Sequence, residues 1–159
     1  MLQFDVDNNR FNFRVAAVVI HSNHVLLHRV LTDDFWALPG GRVEFFETSD
    51  DAVLRELEEE LGLKASIVRH LWHVENFFDY GGRKFHEVGN YFLTCFDREP
   101  EIKSELDFKG IENDIDLIFR WVPIVALDRY VLKPGFLKSG IPSLPEAVEY
   151  IKINNLNSI

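Results

Sequence analysis

The sequence is short of cysteine, of cations and of long apolar runs, and each shortage excludes something. One cysteine, Cys95, in 159 residues rules out an internal disulfide, so a reducing compartment, the cytoplasm, is expected. Lysine and arginine number 17 against 26 aspartates and glutamates, a formal charge of −9. That balance argues against nucleic acid as the main partner, because such binding rests on Lys and Arg neutralising phosphates. The longest apolar run, "VAAVVI" from Val15 to Ile20, has the length of a strand and not the roughly 20 residues of a membrane span, so no membrane partner is expected. The opening "MLQFDVDNNR" has neither a basic stretch nor a long apolar one, so a secretory signal is not expected. Repeats, low-complexity tracts and linkers are absent too. With domains typically of about 100 to 200 residues, a single domain over 1–159 is the simplest reading.

What is present alternates between strand and turn signals. "RFNFRVAAVVI" (Arg10 to Ile20) and "VLLHR" (Val25 to Arg29) read as strands joined by a hairpin with Ser22-Asn23 in its loop. "ASIVRHLWHVENFF" and "KFHEVGNYFLTCF" form a second hairpin across "DYGG". A helix is expected from Asp50 to Leu61, with Thr48 and Asp51 at capping-box spacing and Gly62 as its stop. Asp97 to Asp116 reads as loop and "LIFRWV" (Leu117 to Val122) as the last strand. "SLPEAVEYIKI" reads as a terminal helix, with Ser143 and Glu146 as a capping box and an apolar face of Ala147, Val148 and Ile151. Together these predict an α/β fold, a mixed sheet between helical layers.

The helix from Asp50 breaks two local rules. "RELEEELG" places Glu56, Glu58, Glu59 and Glu60 in its last turns, where the helix dipole disfavours anions and like charges at i,i+3 and i,i+4 cost roughly 0.2 to 0.5 kcal/mol per pair. At about 100° per residue, Val53, Leu54, Leu57 and Leu61 share the core arc. Glu56, Glu59 and Glu60 fall together beside it, whereas Glu58 points to solvent. Three convergent carboxylates bordering a core suit a hard cation, Mg²⁺ or Mn²⁺. A bare acidic run would be a solvated face, and it would require no particular residues upstream.

Here the upstream residues are specific. Gly41, Glu47, Arg55, Glu56, Leu57, Glu59, Glu60, Gly62 and Leu63 resemble, position for position, the Nudix box G-x5-E-x7-R-E-U-x-E-E-x-G-U. Seven fixed positions coincide by chance in about one window in 10⁸ at average residue usage. "ALPGGRVE" resembles the usual lead-in of that family; Phe46 departs from it, standing where members often carry glycine.

The resemblance implies a Nudix-type α/β/α sandwich and metal-assisted hydrolysis of nucleoside diphosphates linked to another group. It implies Glu59 and Glu60 as metal ligands, Glu56 as ligand, water-activating base or both, and the Gly40 carbonyl as a further ligand. It also implies a Glu47–Arg55 pair that locks the loop to the helix. Glu112 is the candidate for a base outside the box, with Glu101 and Glu105 behind it. Arg29 and Arg42 are candidate phosphate contacts. Phe77, Phe78, Tyr80, Phe85, Tyr91 and Phe92 fit core better than base stacking; His86 and Glu87, adjacent in a strand, point to opposite faces, which argues against a shared metal, and His70, His73 and Cys95 lack ligand spacing. The expected function is a Mg²⁺-dependent pyrophosphohydrolase of a nucleoside di- or triphosphate, a small-molecule substrate. Dinucleoside polyphosphates, nucleotide sugars and a non-catalytic nucleotide sensor are the alternatives. The oligomeric state stays open, a homodimer included.

Overall fold

The computed structural model describes residues 1–112 and 116–156. Its first strands are β1 (Gln3–Val6), β2 (Asn9–His21), β3 (His24–Val30) and the short β4 (Gly40–Arg42). Helix α1 (Ser49–Leu61) follows, then β5 (Ala65–Tyr80), β6 (Arg83–Phe96), β7 (Phe108–Lys109) and β8 (Leu117–Pro123). A 3-10 helix (Ile124–Arg129), α2 (Leu137–Gly140) and β9 (Glu149–Asn154) complete the chain. The strands join in the order β7-β8-β3-β2-β6-β5-β9, with β1 and β4 also pairing β2. The sheet is mixed: β2 with β6 and β5 with β9 run parallel, and the other pairs antiparallel.

Both hairpins form where their turn residues place them. Ser22 and Asn23 adopt positive φ of 48° and 60°, the handedness that matches strand twist in a two-residue turn. β2 is buried on both faces because its run from Val15 to Val19 leaves no polar side to expose. One face, with Val15, Ala17 and Val19, packs against Val53 and Leu57 of α1. On the other, Ala16 and Val18 join Trp72, Tyr91, Leu127 of the 3-10 helix, and Leu137 and Ile141 around α2. Each fully buried Val, Leu or Ile among them contributes about 1.5 to 3 kcal/mol.

The termini of α1 follow local chemistry. Thr48 caps it, its hydroxyl accepting from the Asp51 amide at 3.4 Å, and Gly62 ends it at φ 68° while its N–H returns to the Glu58 carbonyl. Such a left-handed stop favours glycine.

The terminal segment corrects the sequence reading. The helix expected over Ser143 to Ile153 does not form, and Glu149–Asn154 pairs in parallel with Trp72 to Phe77 of β5. Ile151 and Ile153 pack on the core while Tyr150 and Lys152 are exposed, an alternation of period 2. β8 is therefore not the last strand. The layer opposite α1 is supplied by the 3-10 helix and α2 instead. Of the stretch expected as loop, Phe108–Lys109 pairs β8 as β7, and Asn113, Asp114 and Ile115 lie outside the described residues. Among the described residues no helix is long and apolar enough to cross a membrane.

Candidate active site

The glutamates of α1 meet the sheet where β3 and β2 part and the segment Ala37 to Gly41 fills the gap. His28 bridges to Ala37, and the Ala17 amide donates to the Pro39 carbonyl at 2.8 Å. Gly41 then passes so close to α1 that a Cβ there would lie 2.2 Å from the Glu56 carboxyl carbon. Only glycine fits there without displacing that carboxylate. Gly40 is equally confined, with the Val15 carbonyl 2.0 Å from where its Cβ would stand.

Arg55 organises this corner. Its Nε and Nη2 donate to the two Glu47 oxygens at 2.7 and 3.0 Å, a bidentate pair. Nη2 also reaches the Arg42 carbonyl at 3.1 Å, and Nη1 donates to Glu56 at 2.9 Å and Glu59 at 3.1 Å. Glu47 in turn accepts from the Glu44 amide at 3.1 Å, so the loop is stapled to the helix. The Arg55 hydrogen bonds hold the Glu47 carboxyl below its ordinary range.

The three carboxylates differ in environment. Glu59 is exposed and Glu56 half-buried, and burial pushes the Glu56 carboxyl up against the pull of Arg55. Glu60 is buried, with its Oε2 lacking any partner among the described residues. Burial first, and then the charges of Glu56, Glu112 and Glu59, push its pKa up to about 8. Among the described residues no three acidic, histidine or cysteine side chains enclose an ion by themselves. Arg55 draws Glu56 and Glu59 toward itself, so the convergence expected from the wheel is incomplete.

Glu112 is exposed and lines a cavity with Glu60, Lys109, Gly110, Asp116, Leu117 and Phe119. Glu105 is engaged elsewhere, accepting from the Tyr130 hydroxyl at 2.7 Å and pairing with Arg129 at 3.3 Å, and Glu101 is exposed. Arg29 is tied to its own loop, donating to the Leu31 and Asp33 carbonyls over the Trp36 ring. Arg42 is half-buried, and its Nε is buried without a partner. The aromatic residues mostly pack among themselves: Phe78 stacks on Phe85 at 5.0 Å, His70 on Phe92 at 4.6 Å, and Tyr91 is core. His86 lies between Phe11 and Phe77, while Glu87 accepts from Asn12 at 2.8 Å.

Three groups near the glutamates escaped the sequence reading. Asp116 and Lys109 line the cavity beside Glu60. Arg14 acts electrostatically on Glu56, Glu60, Arg42 and His28. The signal for it was the alternation "RFNFR", which puts Arg10, Asn12 and Arg14 on one face of β2. Chemically, the corner offers hard oxygen donors, one carboxylate kept from its charged state by burial, and cations alongside.

A sequence model of the NUDIX domain matches residues 11–140, spanning β2 to the end of α2. The chain belongs to the Nudix family. An RNA pyrophosphohydrolase of a Nitratiruptor species is 30% identical to it over 161 residues, covering 92% of this chain and 97% of the relative. A putative mutator protein MutT4 of Mycobacterium tuberculosis is 30% identical over 93 residues, which is 58% of this chain and 34% of that longer protein. Among solved structures, a mutator MutT protein from Bacillus halodurans superposes with a TM-score of 0.63 at 16% identity, covering 91% of both chains. That likeness shows the Nudix fold, including the mixed sheet with few helices. The spacing from Gly41 to Leu63 is thus, in this Nudix domain, a loop and helix held by Arg55.

Proposed function

We propose that this Nudix domain is a metal-dependent pyrophosphohydrolase cleaving a nucleoside di- or triphosphate by attack of water on phosphorus. The observation that carries the reading is Glu60: a buried carboxyl oxygen without a partner, beside two further glutamates and Glu112. Carboxylates crowded at the end of a helix repel one another, and a hard divalent ion reverses the sign of that interaction. The residues present fit such an ion, Mg²⁺ or Mn²⁺, with Glu56, Glu59, Glu60 and the Gly40 carbonyl as its holders. When bound, it supplies positive charge that neutralises a diphosphate and makes a nearby water more acidic.

The chain's own groups do the rest. Glu56, half-buried and oriented by Arg55 at 2.9 Å, accepts the proton of the attacking water. Glu112, across the cavity from Glu60, is the second candidate for that role. Glu47 keeps Arg55 in place, so the loop and the carboxylates stay in register. Arg42 meets the substrate's phosphates, and Arg29 stiffens the loop beside them.

A second reading has one observation in its favour: a relative aligned over nearly its whole length is named an RNA pyrophosphohydrolase. The triphosphorylated 5′ end of an RNA carries the same anhydride bonds as a free nucleotide. The charge of −9 disfavours extended backbone contact, which leaves recognition of the end alone.

Product analysis by anion-exchange chromatography tests both. Nucleoside triphosphates, diphosphates, dinucleoside polyphosphates, nucleotide sugars and a triphosphorylated oligoribonucleotide are each incubated with Mg²⁺ and either wild type or Glu59→Gln. Turnover of free nucleotides by wild type alone supports the first reading, and of the oligonucleotide alone the second. Binding of nucleotide with no turnover of any compound overturns both in favour of a sensor.

A further inference from the structure

The sheet face that carries α1 extends beyond the helix. Asn90 of β6 donates to the hydroxyl of Ser49, the first residue of α1, at 2.9 Å, so the helix begins over that row of the sheet. Toward the other end, Phe11 continues the side of β2 that bears Val15, Ala17 and Val19. Phe4, Phe11, His86 and Phe77 are direct partners across β1, β2, β6 and β5, and their rings follow one another at 5.1, 5.7 and 4.5 Å. Phe4 and Val6 are each 59% exposed, His86 is exposed, and Phe11, Phe77 and Val88 are half-buried. Among the described residues none of the five apolar ones joins either buried cluster. A sheet buries its apolar face against a second layer, and a contiguous exposed apolar patch marks an interaction site. Here the chain's own layer stops short.

The two ends of the row are unlike. At β1 the Phe4 ring protrudes, whereas beyond Phe77 a hollow of about 310 Å³ lies among Glu75, Phe77, Lys152, Ile153 and Asn154 of β5 and β9. A cavity of about 150 Å³ holds benzene, so the hollow has room for a ring. β6 stands midway, two strands from β1 and two from β9. Charge on this face cancels, since Lys84 lies opposite Asp79 and Lys152 opposite Glu75. Elsewhere the excess of acids in a chain of −9 holds copies apart; here it does not. The same balance leaves no surplus cation for phosphates, which disfavours a nucleic acid stacked on the rings.

We propose that this face is the interface of a homodimer, two copies packed sheet on sheet about a two-fold axis at His86. Rotation about an axis along the strands there exchanges the ends of the row, so the Phe4 ring of each copy enters the hollow of the other and His86 meets its own copy. Every contact then occurs twice. The glutamates of α1 take no part, so the dimer stands or falls separately from the hydrolase reading. A patch of this size belongs with the smaller interfaces, and a dissociation constant on the order of 10 μM is expected.

Sedimentation velocity on the full chain, from about 1 to 300 μM, reads the equilibrium. Wild type should pass from monomer to dimer over that range. Phe4→Glu and His86→Glu should each raise the dissociation constant by about tenfold or more, His86→Glu the more strongly because it sets two like charges face to face on the axis. Both side chains are exposed, so far-UV circular dichroism should match wild type. Val125→Glu, at a side chain 94% exposed in the 3-10 helix, adds the same charge elsewhere and should leave the dimer unchanged. The melting temperature should rise with concentration in wild type and not in His86→Glu. A wild type that stays monomeric throughout overturns the proposal, as does a dimer indifferent to both row variants or weakened equally by Val125→Glu. A monomer whose binding of a single-stranded oligoribonucleotide is lost in Phe4→Glu overturns it in favour of base stacking.

Discussion

Arg55 and the Arg14–Arg42 pair act on the same glutamates and have different fates. Arg55 touches Glu47, Glu56 and Glu59 at once, within 2.7 to 3.1 Å. Arg14 and Arg42, linked to that corner through a backbone carbonyl of Arg42, form no ion pair among the described residues. The difference separates two uses of a cation. A saturated guanidinium is a fixed part of the scaffold and its loss loosens structure. Arg14 and Arg42 repel one another, but Arg14 also donates to the Leu38 carbonyl and attracts Glu56 and Glu60, so its loss trades repulsion against attraction and should cost the scaffold less than loss of Arg55.

The largest effect is expected on the carboxylates that both act on. Glu56→Gln should lower kcat by about 10² to 10⁴, the range for removing a general base, and Glu60→Gln should lower it by a similar factor through loss of the ion. Product formation under saturating Mg²⁺ reads both. Glu60→Gln carries a second expectation: the metal-free protein becomes more stable at pH 8, because a carboxyl that resists ionisation is gone. An inactive variant that is also less stable without metal would contradict the role given to Glu60.

Next comes the scaffold side of the comparison. Arg55→Ala removes a bidentate pair and leaves Glu47 half-buried without its counter-charge, at a cost of about 2 kcal/mol. Thermal unfolding should move down by about 4 to 8 °C. The contrast with Arg14→Gln, where one hydrogen bond to the Leu38 carbonyl is lost but a repulsion with Arg42 goes too, and a smaller decrease is expected, is the sharpest form of the distinction. Equal losses in both variants would erase it.

Much of this corner was legible because it lies in one stretch of chain. Helical spacing gathers Glu56, Glu59 and Glu60, and Thr48 and Gly62 mark the limits of the helix that carries them. The Arg14–Arg42 pair was not legible, since the two meet only through the register of β2 against β4. Nor was the fate of Ser143 to Ile153: its capping-box spacing is real, but the long strand β5 offers an edge that Glu149–Asn154 completes. Local capping is worth about 1 kcal/mol, and the ladder together with burial of Ile151 and Ile153 outweighs it. The alternation of "YIKI" was the better signal. β1 and β7 went unseen because Gln3–Val6 and Phe108–Lys109 are short and mostly exposed, with little apolar periodicity to betray them.

A smaller effect follows from pH in the metal-free protein. Glu60 ionises near 4.5 when unfolded and near 8 when folded. Between those values the folded state holds the extra proton, so stability falls as pH rises from about 4.5 and the loss is complete above about 8. His28 acts in the opposite sense: burial and then Arg14 push it from 6.5 down to about 3. The unfolded chain takes the extra proton below 6.5, so stability falls as pH drops toward 3. Melting temperature without metal should therefore peak between about pH 4.5 and 6.5, and Glu60→Gln should flatten the alkaline side. Mg²⁺ at millimolar concentration should raise the melting temperature most at pH 8, where Glu60 gives up its proton to the ion.

The smallest effect tests the loop that Arg55 holds through Glu47. Phe46 stands where the Nudix box often has glycine, its φ is 63°, and its side chain is fully exposed. A bulky residue in the left-handed region costs about 1 to 2 kcal/mol, and the exposed ring lies against that of its neighbour Phe45, at a centroid distance of 6.1 Å. Glycine removes that strain but gives the unfolded chain more freedom, a loss of about 0.5 to 1 kcal/mol. Phe46→Gly should therefore raise the melting temperature by about 1 to 4 °C. Because Glu47 and Arg55 fix the loop from its other end, the variant should keep its kcat. A fall in kcat with stability raised would show that the strained turn, and not the Glu47–Arg55 pair alone, sets the position of the carboxylates.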